Sequence, residues 1–169
     1  MDAKEMILSR RSIRKYTDEI VEDEKINLLL EAACSAPSAC NRKPYEIFVI
    51  MEGERLLKLN KCGRFTNIPS KLKIVVCGNL KKALPRSFAD YWIQDASAVT
   101  QNILLMANAL GLGACWCGVY LQDSVVKNVK DILGLEEDII PFSLINIGYP
   151  NEEKKPHQGY DESIVHFIK

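Results

Sequence analysis

The chain lacks an apolar run long enough to cross a membrane. The longest candidate, within residues 86–110, is interrupted by polar side chains, namely Gln94, Asp95, Gln101, Asn102 and Asn108. The chain also lacks an excess of charge of either sign, with 22 Lys and Arg against 22 Asp and Glu. A neutral chain has no general attraction for nucleic acid or for an anionic membrane. We therefore expect neither as a partner.

Paired cysteines and metal ligands are also scarce. The sequence has two histidines, both near its C-terminal end, and six cysteines without a Cys-x-x-Cys pair. Its first residues are charged and no apolar segment follows, so we expect no signal peptide, a reducing cytoplasmic setting and no structural disulfide. The closest spacing is Cys115-x-Cys117, which on a strand puts both side chains on one face. Zinc would need two further ligands, so we expect no metal.

The charge is divided unevenly along the chain. Residues 1–85 carry 16 Lys and Arg against 11 Asp and Glu, whereas residues 86–169 carry 6 against 11. A basic first half suits an anionic ligand such as a phosphate. Two ordinary solvated surfaces that attract each other would give the same imbalance, so charge alone leaves both interpretations open.

Periodicity predicts alternating helices and strands. Helical patterns cover residues 2–10, 22–34, 53–60, 86–110 and 124–133, with Asp2 capping the first and Asp123 or Ser124 capping the last. Gly111 and Gly134 are expected to end the two later helices. Strand patterns cover residues 45–51, 72–77, 114–121 and 142–148. Residues 163–168 alternate weakly and are compatible with a strand or a terminal arm.

These elements predict one domain over residues 1–169 with a sheet between layers of helices. The run at 72–77 is continuously apolar, which indicates a central strand covered on both faces. Two helices precede the first strand, and this order argues against a regular doubly wound fold. Residues 151–160 form a polar connector.

Two segments carry candidate binding chemistry. The run Arg10-Arg11-Ser12-Ile13-Arg14 places three guanidinium groups and a hydroxyl within five residues. Arginines bind phosphate through charge-assisted, bidentate hydrogen bonds. The run Pro37-Ser38-Ala39-Cys40-Asn41-Arg42-Lys43-Pro44 lies between a predicted helix and a predicted strand. Taken singly, the first is compatible with exposed arginines at a helix end, and the second with an ordinary turn.

Four segments, in this order, resemble the FMN-dependent nitroreductase family over nearly the whole chain. They are residues 10–16, residues 36–45, residues 94–116 with the turn Gly111-Leu112-Gly113, and Ile147-Gly148-Tyr149-Pro150. The resemblance implies an α+β fold in three α/β/α layers, with a mixed, mostly antiparallel central sheet covered by helices on both faces. It also implies that residues 151–169 form a C-terminal arm.

The resemblance implies roles for particular residues. Arg10 and Ser12 would hold the FMN phosphate and ribityl chain with help from Arg11, and Arg14 would approach the pyrimidine edge of the flavin. The ring would meet the loop at Pro37, Ser38 and Asn41. The backbone N–H of Cys117 or Gly118 would face flavin N5. In the arm, Gly159 stands where relatives often have an arginine, so either Lys155 or His157 takes its place or phosphate binding rests on Arg10 and Arg11 alone. Lys43 stands where the family usually has an amide side chain.

The resemblance further implies a cytoplasmic homodimer with its sites at the subunit interface. Its activity would be FMN-dependent oxidoreduction, in which NADH or NADPH gives a hydride to flavin N5 and an electron-poor small molecule, such as a nitroaromatic or a quinone, then accepts it by a ping-pong mechanism. Three alternatives stay open. They are a flavin-consuming or dehalogenating relative, a non-catalytic flavin-binding or regulatory protein, and a thiol enzyme based on Cys40 or Cys115.

Overall fold

The computed structural model describes residues 2–155, 157 and 159–168. Within them the α-helices are α1 (Ala3–Ser9), α2 (Asp23–Cys34), α3 (Gly53–Leu59), α4 (Tyr91–Ala109) and α5 (Asp123–Leu133). The strands are β1 (Tyr45–Ile50), β2 (Leu72–Asn79), β3 (Gly113–Gly118) and β4 (Ile139–Gly148). Every helix and strand that the patterns predict over residues 2–148 is found, with changes at some of the ends.

The four strands form one sheet in the order β1-β2-β4-β3, and each neighbouring pair is antiparallel. All eight residues of β2 are buried, which confirms the predicted central strand. A single parallel bridge, between Ser12 and Ala114, adds the N-terminal segment beside β3. Among the described residues, β3 pairs with β4 on one side, and its other edge has no strand partner beyond that bridge.

Helices cover both faces of the sheet, which confirms the predicted three-layer α+β fold. One core joins α2 and α4 to the face of β2 that carries Ile74 and Val76. The second core joins α3 and α5 to the face that carries Val75 and Cys77. Side chains of a strand alternate between faces, so this continuous apolar run serves both cores at once.

Helix α4 ends as predicted but begins later than predicted. At its end the Gly111 N–H bonds to the Asn108 carbonyl and the Leu112 N–H to the Ala107 carbonyl, and Gly111 has φ +73°. This is the Schellman arrangement that glycine favours. The predicted start at residue 86 is wrong, because Arg86 has a φ of 58° and Arg86–Phe88 form a separate 3-10 turn.

Two further boundaries differ from the sequence patterns. Strand β3 stops at Gly118, because the N–H groups of Val119 and Tyr120 both bond to the Phe142 carbonyl and the regular ladder ends there. The chain then turns at Leu121, which has a φ of 71°. The predicted cap of α5 is wrong, since Asp123 is already the first helical residue and Gln122 precedes it without a capping side-chain bond. The predicted end of α5 at Gly134 is confirmed by its left-handed φ of 70°.

The C-terminal segment is anchored at its start and exposed beyond. Asn151 donates its N–H to the Lys15 carbonyl at 2.9 Å, and Pro150 bridges to Tyr16. All described residues from 159 to 168 are exposed, and they form a 3-10 turn at Glu162–Ile164 without a strand. The arm is therefore the better of the two interpretations. Among the described residues, no helix has the length and hydropathy that a membrane span requires.

Candidate functional site

The arginine motif lies along the start of β3. The Ile13 N–H donates to the Ala114 carbonyl at 3.0 Å, and the Tyr16 hydroxyl donates to the carbonyls of Ile13 and Asn146. The approach requires Gly113, because a Cβ there would lie 2.7 Å from Cγ2 of Ile13. The absence of a side chain at Gly113 therefore allows the arginine motif to lie this close to β3.

Arg10 and Arg11 line a cavity of about 270 Å³ between α1, the end of α4 and the first residues of the arm. Lys154 also lines this cavity and donates to the Ser12 carbonyl at 2.8 Å. Glu152 adds one carboxylate, which accepts from the backbone N–H groups of Arg14 and Lys15. The hydrogen bond from Arg14 holds the pKa of Glu152 below its ordinary value. Three cations against one carboxylate leave the cavity positive.

The arm presents a different lysine from the one that the resemblance suggested. Lys154 lines the arginine cavity, whereas Lys155 is exposed and lies outside its lining residues. The two are adjacent in the sequence, and a register of one residue in an extended segment decides which points inward. The role of Lys155 at the phosphate stays a prediction, and Lys154 is the residue that the sequence did not single out.

A second cavity, of about 420 Å³, lies where Arg14 faces the later part of β3. Trp116, Cys117, Gly118 and Gln122 line it together with the segment around Phe65. The Ala114 carbonyl points away from β4, toward Ile13. The backbone N–H and C=O groups of successive strand residues point to alternate sides, so those of Trp116 and Gly118 also point away from β4. Those of Cys117 turn toward β4. The open-edge N–H that the resemblance places at Cys117 or Gly118 is therefore better supplied by Gly118.

The loop of residues 37–44 is held in a strained shape. Cys40, Asn41 and Lys43 have φ values of 51°, 54° and 48°, in the left-handed region that residues with a Cβ rarely adopt. Ser38 supports the turn by accepting from the Lys43 N–H at 3.0 Å. Such strain persists only where surrounding contacts fix it, and it is concentrated at binding sites.

Asp95 ties this loop to α4. Its Oδ1 accepts from the Ala39 N–H at 2.9 Å. Oδ2 of the same carboxylate is buried and has no hydrogen-bond partner within the part of the chain that the structure describes. The sequence places Asp95 in the segment of residues 94–116 that resembles the family, but it does not predict this contact with the loop. Pro37, Ser38 and Asp95 together line a shallow cavity of about 300 Å³.

One chain does not bring the loop and the arginines together. The loop binds α4 at Asp95, whereas the residues just before the motif bind α4 at Asn108, whose Nδ2 donates to Ser9 Oγ at 2.8 Å. At about 1.5 Å per residue these two points are about 20 Å apart along the helix. Pro37 and Ser38 therefore line a different cavity from Arg10 and Arg11, and none of the three cavities described here includes Asn41.

A buried lysine of β2 is linked to β3 through the side chain of Asn146. Lys73 is fully buried in β2, and its ammonium donates to the Ile68 carbonyl at 3.0 Å and to Oδ1 of Asn146. Nδ2 of Asn146 in turn donates to Sγ of Cys117 at 3.3 Å. Burial lowers the pKa of Lys73 to about 8. This network was not predictable from the sequence, because an isolated lysine in an apolar run carries no signal of its partners.

Comparison with known proteins agrees with this arrangement. Residues 7–73 and 69–149 match the sequence model of the Nitroreductase family. The chain belongs to the nitroreductase family. Over 158 residues it is 40% identical to a candidate NADH dehydrogenase/NAD(P)H nitroreductase of Archaeoglobus fulgidus, and the match spans 92% of this chain and 90% of that relative.

Solved structures of nitroreductase-like proteins share the whole fold. A candidate NADH dehydrogenase/NAD(P)H nitroreductase from Parabacteroides distasonis superposes with a TM-score of 0.91 at 34% identity, over 98% of this chain and 97% of that one. A candidate nitroreductase from Desulfovibrio desulfuricans, crystallised in complex with FMN, gives 0.83 at 30% identity over 98% and 96%. The predicted family and fold are therefore confirmed.

Proposed function

We propose that this nitroreductase-family protein is an NAD(P)H-dependent oxidoreductase that binds FMN at the arginine motif and the open edge of β3. When bound, FMN supplies the redox chemistry, taking a hydride from NADH or NADPH at N5 and passing it to an electron-poor acceptor, such as a nitroaromatic or a quinone, in a ping-pong cycle. The observation that carries the proposal is the adjacency of a positive cavity, Arg14 and an unpaired strand edge. FMN in the Desulfovibrio relative supports the same cofactor.

The charges of the first cavity fit a phosphate. A phosphate monoester carries about two negative charges at pH 7. Arg10, Arg11 and Lys154 outweigh the carboxylate of Glu152 by two charges. The Glu152 carboxylate accepts hydrogen bonds from the backbone N–H groups of Arg14 and Lys15, which partly offset its negative charge. We assign the phosphate to this cavity, with Ser12 beside the ribityl chain.

The second cavity fits the ring of the flavin. Its strand edge offers the Gly118 N–H for N5, and Arg14 places a positive charge beside it. A fixed cation near the pyrimidine edge stabilises the anionic reduced flavin and so raises its reduction potential. In this assignment Gly118 orients N5 and Arg14 sets the potential. No side-chain acid or base is required.

The loop of residues 37–44 completes the site from a second copy of the chain. The separation of about 20 Å along α4 keeps Pro37, Ser38 and Asn41 from the arginine motif of their own subunit. Large apolar side chains are exposed at both ends of the chain, including Ile7, Leu8, Ile164, Phe167 and Ile168. A second subunit would bury these side chains. We therefore propose a homodimer in which each site takes its arginines from one subunit and its loop from the other.

Mixed dimers test this composite site. Arg10→Ala with Arg11→Ala is prepared as one variant, and Ser38→Ala with Asn41→Ala as the other, each expected to bind FMN poorly. Unfolding and refolding an equal mixture forms heterodimers, in which one site carries both lesions and the other carries none. Statistical pairing then restores FMN to about a quarter of the sites. Flavin fluorescence titration measures the recovery.

The control for the mixed dimers is each variant refolded alone, which is expected to stay without FMN. If the mixture also stays without FMN while forming dimers, each site lies within one chain and the composite site is wrong. If the loop variant alone retains full FMN affinity, the loop does not contact the cofactor. Both results concern only where FMN binds, and the redox activity of the natural protein is tested in a separate experiment.

A further inference from the structure

Lys73 carries a buried charge that the function proposed above does not use. The side chain is fully buried, whereas lysine is almost never fully buried in proteins unless an opposite charge pairs with it. Its ammonium donates to the Ile68 carbonyl at 3.0 Å, to Oγ of Ser70 at 3.4 Å and to Oδ1 of Asn146, and all of these acceptors are neutral. In the described part of the chain, no carboxylate forms an ion pair with this ammonium.

The thiols near this ammonium do not neutralise it either. Cys62 and Cys117 are the titratable groups whose charge acts on Lys73. Burial raises the pKa of Cys62, and the neighbouring Cys115 thiol together with burial raises the pKa of Cys117. Both thiols therefore keep their protons at pH 7, where Lys73, with a pKa of about 8, is charged. A buried charge without an opposite charge costs folding free energy, so a fold that retains one marks a candidate functional site.

The ammonium lies behind the wall of the cavity of about 420 Å³ that is assigned to the flavin ring. Ile68, whose carbonyl accepts from Lys73, lines that cavity, and Cys117 lines it as well. The Asn146 side chain links the ammonium to Cys117, because its Nδ2 donates to the Cys117 Sγ at 3.3 Å. The ammonium therefore contacts one part of the cavity wall directly and another part through a single amide.

Further hydrogen bonds hold the parts of this wall together. The Cys117 Sγ donates to the Phe65 carbonyl at 3.1 Å, which ties the segment around Phe65 to β3. The Asn146 carbonyl accepts from the Tyr16 hydroxyl at 3.0 Å, so the residue two positions after Arg14 is held at the same point. The buried charge is thus fixed behind the ring, at a place where solvent does not screen it.

We propose that Lys73 is a positioning residue of the flavin site, whose buried positive charge favours the anionic reduced flavin over the neutral oxidised flavin. This role rests on the proposed function, because it requires the ring to occupy the cavity beside Arg14. Reduction places a negative charge on the ring, and this charge is the partner that the ammonium lacks in the protein alone. Arg14 supplies one positive charge from within the cavity, and Lys73 supplies a second from behind its wall. Two unit charges about 10 Å apart change an equilibrium by roughly tenfold at an effective dielectric constant of about 20.

The ratio of the FMN affinities in the reduced and oxidised states measures this role. That ratio fixes how far the protein moves the flavin reduction potential from its value in free solution. Lys73→Met removes the charge and leaves an unbranched apolar side chain, whereas Lys73→Gln removes the charge and leaves an amide that bonds to its surroundings. At pH 7 both variants are expected to bind reduced FMN about tenfold more weakly than the natural protein, and oxidised FMN almost equally well. Anaerobic titration gives both affinities.

Val75→Ala and Lys71→Gln are the matched controls. Val75 is the next residue of β2 on the same face as Lys73, so its truncation loosens the same core without a change of charge. Lys71 is exposed and pairs with Asp18 at 3.3 Å, so its substitution removes a cation that solvent already screens. Both controls are expected to keep the natural ratio of the two FMN affinities.

Three results would overturn this role. An unchanged ratio in both Lys73 variants, in proteins that still bind FMN and bleach with NADH or NADPH, would exclude it and leave the proposed function intact. A ratio that falls in Lys73→Met but stays natural in Lys73→Gln would assign the effect to hydrogen bonding and not to charge. If the natural protein binds neither form of FMN, the proposed function fails and this role fails with it. If only one of the two variants folds, its ratio decides the matter.

Discussion

Replacing Lys73 with methionine is expected to change how stability depends on pH. Lys73 is fully buried, and burial lowers its pKa from 10.5 to about 8. Between these values the unfolded chain binds a proton that the folded chain does not. Stability therefore rises with pH across this window in the natural protein, because the unfolded state loses its advantage as its lysine deprotonates. Methionine has no proton to lose and removes this contribution.

The size of the effect follows from the two pKa values. A folded pKa of about 8 and an unfolded pKa of 10.5 make the lysine contribution more favourable by about 2.5 kcal/mol at pH 10 than at pH 7. Other thiols and tyrosines are common to both proteins, and the pKa values of Cys62 and Cys117 respond to the charge of Lys73, so their change is part of the lysine effect. The difference in unfolding free energy between natural protein and Lys73→Met therefore isolates the lysine.

Urea unfolding at pH 7, 8, 9 and 10 measures that difference. The unfolding free energy of the natural protein is expected to increase steadily with pH relative to that of Lys73→Met. The loss of the hydrogen bonds to Asn146 and the Ile68 carbonyl sets the difference at pH 7 and does not change this trend. Lys127→Met, on the exposed surface of α5, is the control and is expected to give a flat difference. A difference that is also flat for Lys73→Met would refute a lysine held at a lowered pKa.

Three further predictions concern the site. Arg10→Ala with Arg11→Ala is expected to weaken FMN binding by at least about 100-fold, because it removes two charge-assisted contacts to the phosphate. Gly113→Ala is expected to lower the unfolding free energy of the FMN-free protein by about 1 to 3 kcal/mol, since the new methyl group meets Ile13 at 2.7 Å. Arg14→Ala is expected to lower the flavin reduction potential and slow its reduction while weakening binding much less.

The double arginine variant and Gly113→Ala each have a control on the same chain. The side chain of Lys130 bonds to the Glu137 carbonyl, far from the proposed phosphate site. Lys130→Ala therefore removes a cation and is expected to leave FMN affinity unchanged. Gly118→Ala has open space at its Cβ and is expected to leave the FMN-free stability unchanged. Full FMN occupancy in the double arginine variant, unchanged stability in Gly113→Ala or an unchanged potential in Arg14→Ala would each contradict the corresponding role.

The sheet and its helices were predictable because their signals are local. The apolar run at 72–77 specifies a central strand by itself, and Gly111 ends α4 because a left-handed cap needs glycine. The start of α4 was not predictable in this way. Arg86 adopts a left-handed conformation that residues with a Cβ rarely adopt, and the helical pattern carries no signal for it.

The site was predictable only in part because its geometry depends on distant partners. The arginine motif carries its own chemistry, but its position depends on Gly113, about a hundred residues further along the chain. Lys73 owes its burial to Asn146, which joins it only through the pairing of β2 with β4. Whether Lys154 or Lys155 faces the motif depends on the register of an extended segment, which composition does not determine.

The most direct test of the account is the absorbance spectrum of the purified protein with FMN, before and after anaerobic addition of NADH or NADPH. We expect flavin bands that bleach on addition of one or both donors and return when an electron-poor acceptor such as a quinone follows. Flavin bands that persist with both donors would contradict the oxidoreductase and favour a flavin-binding protein without turnover. Absence of flavin binding would contradict the assignment of the arginine cavity itself.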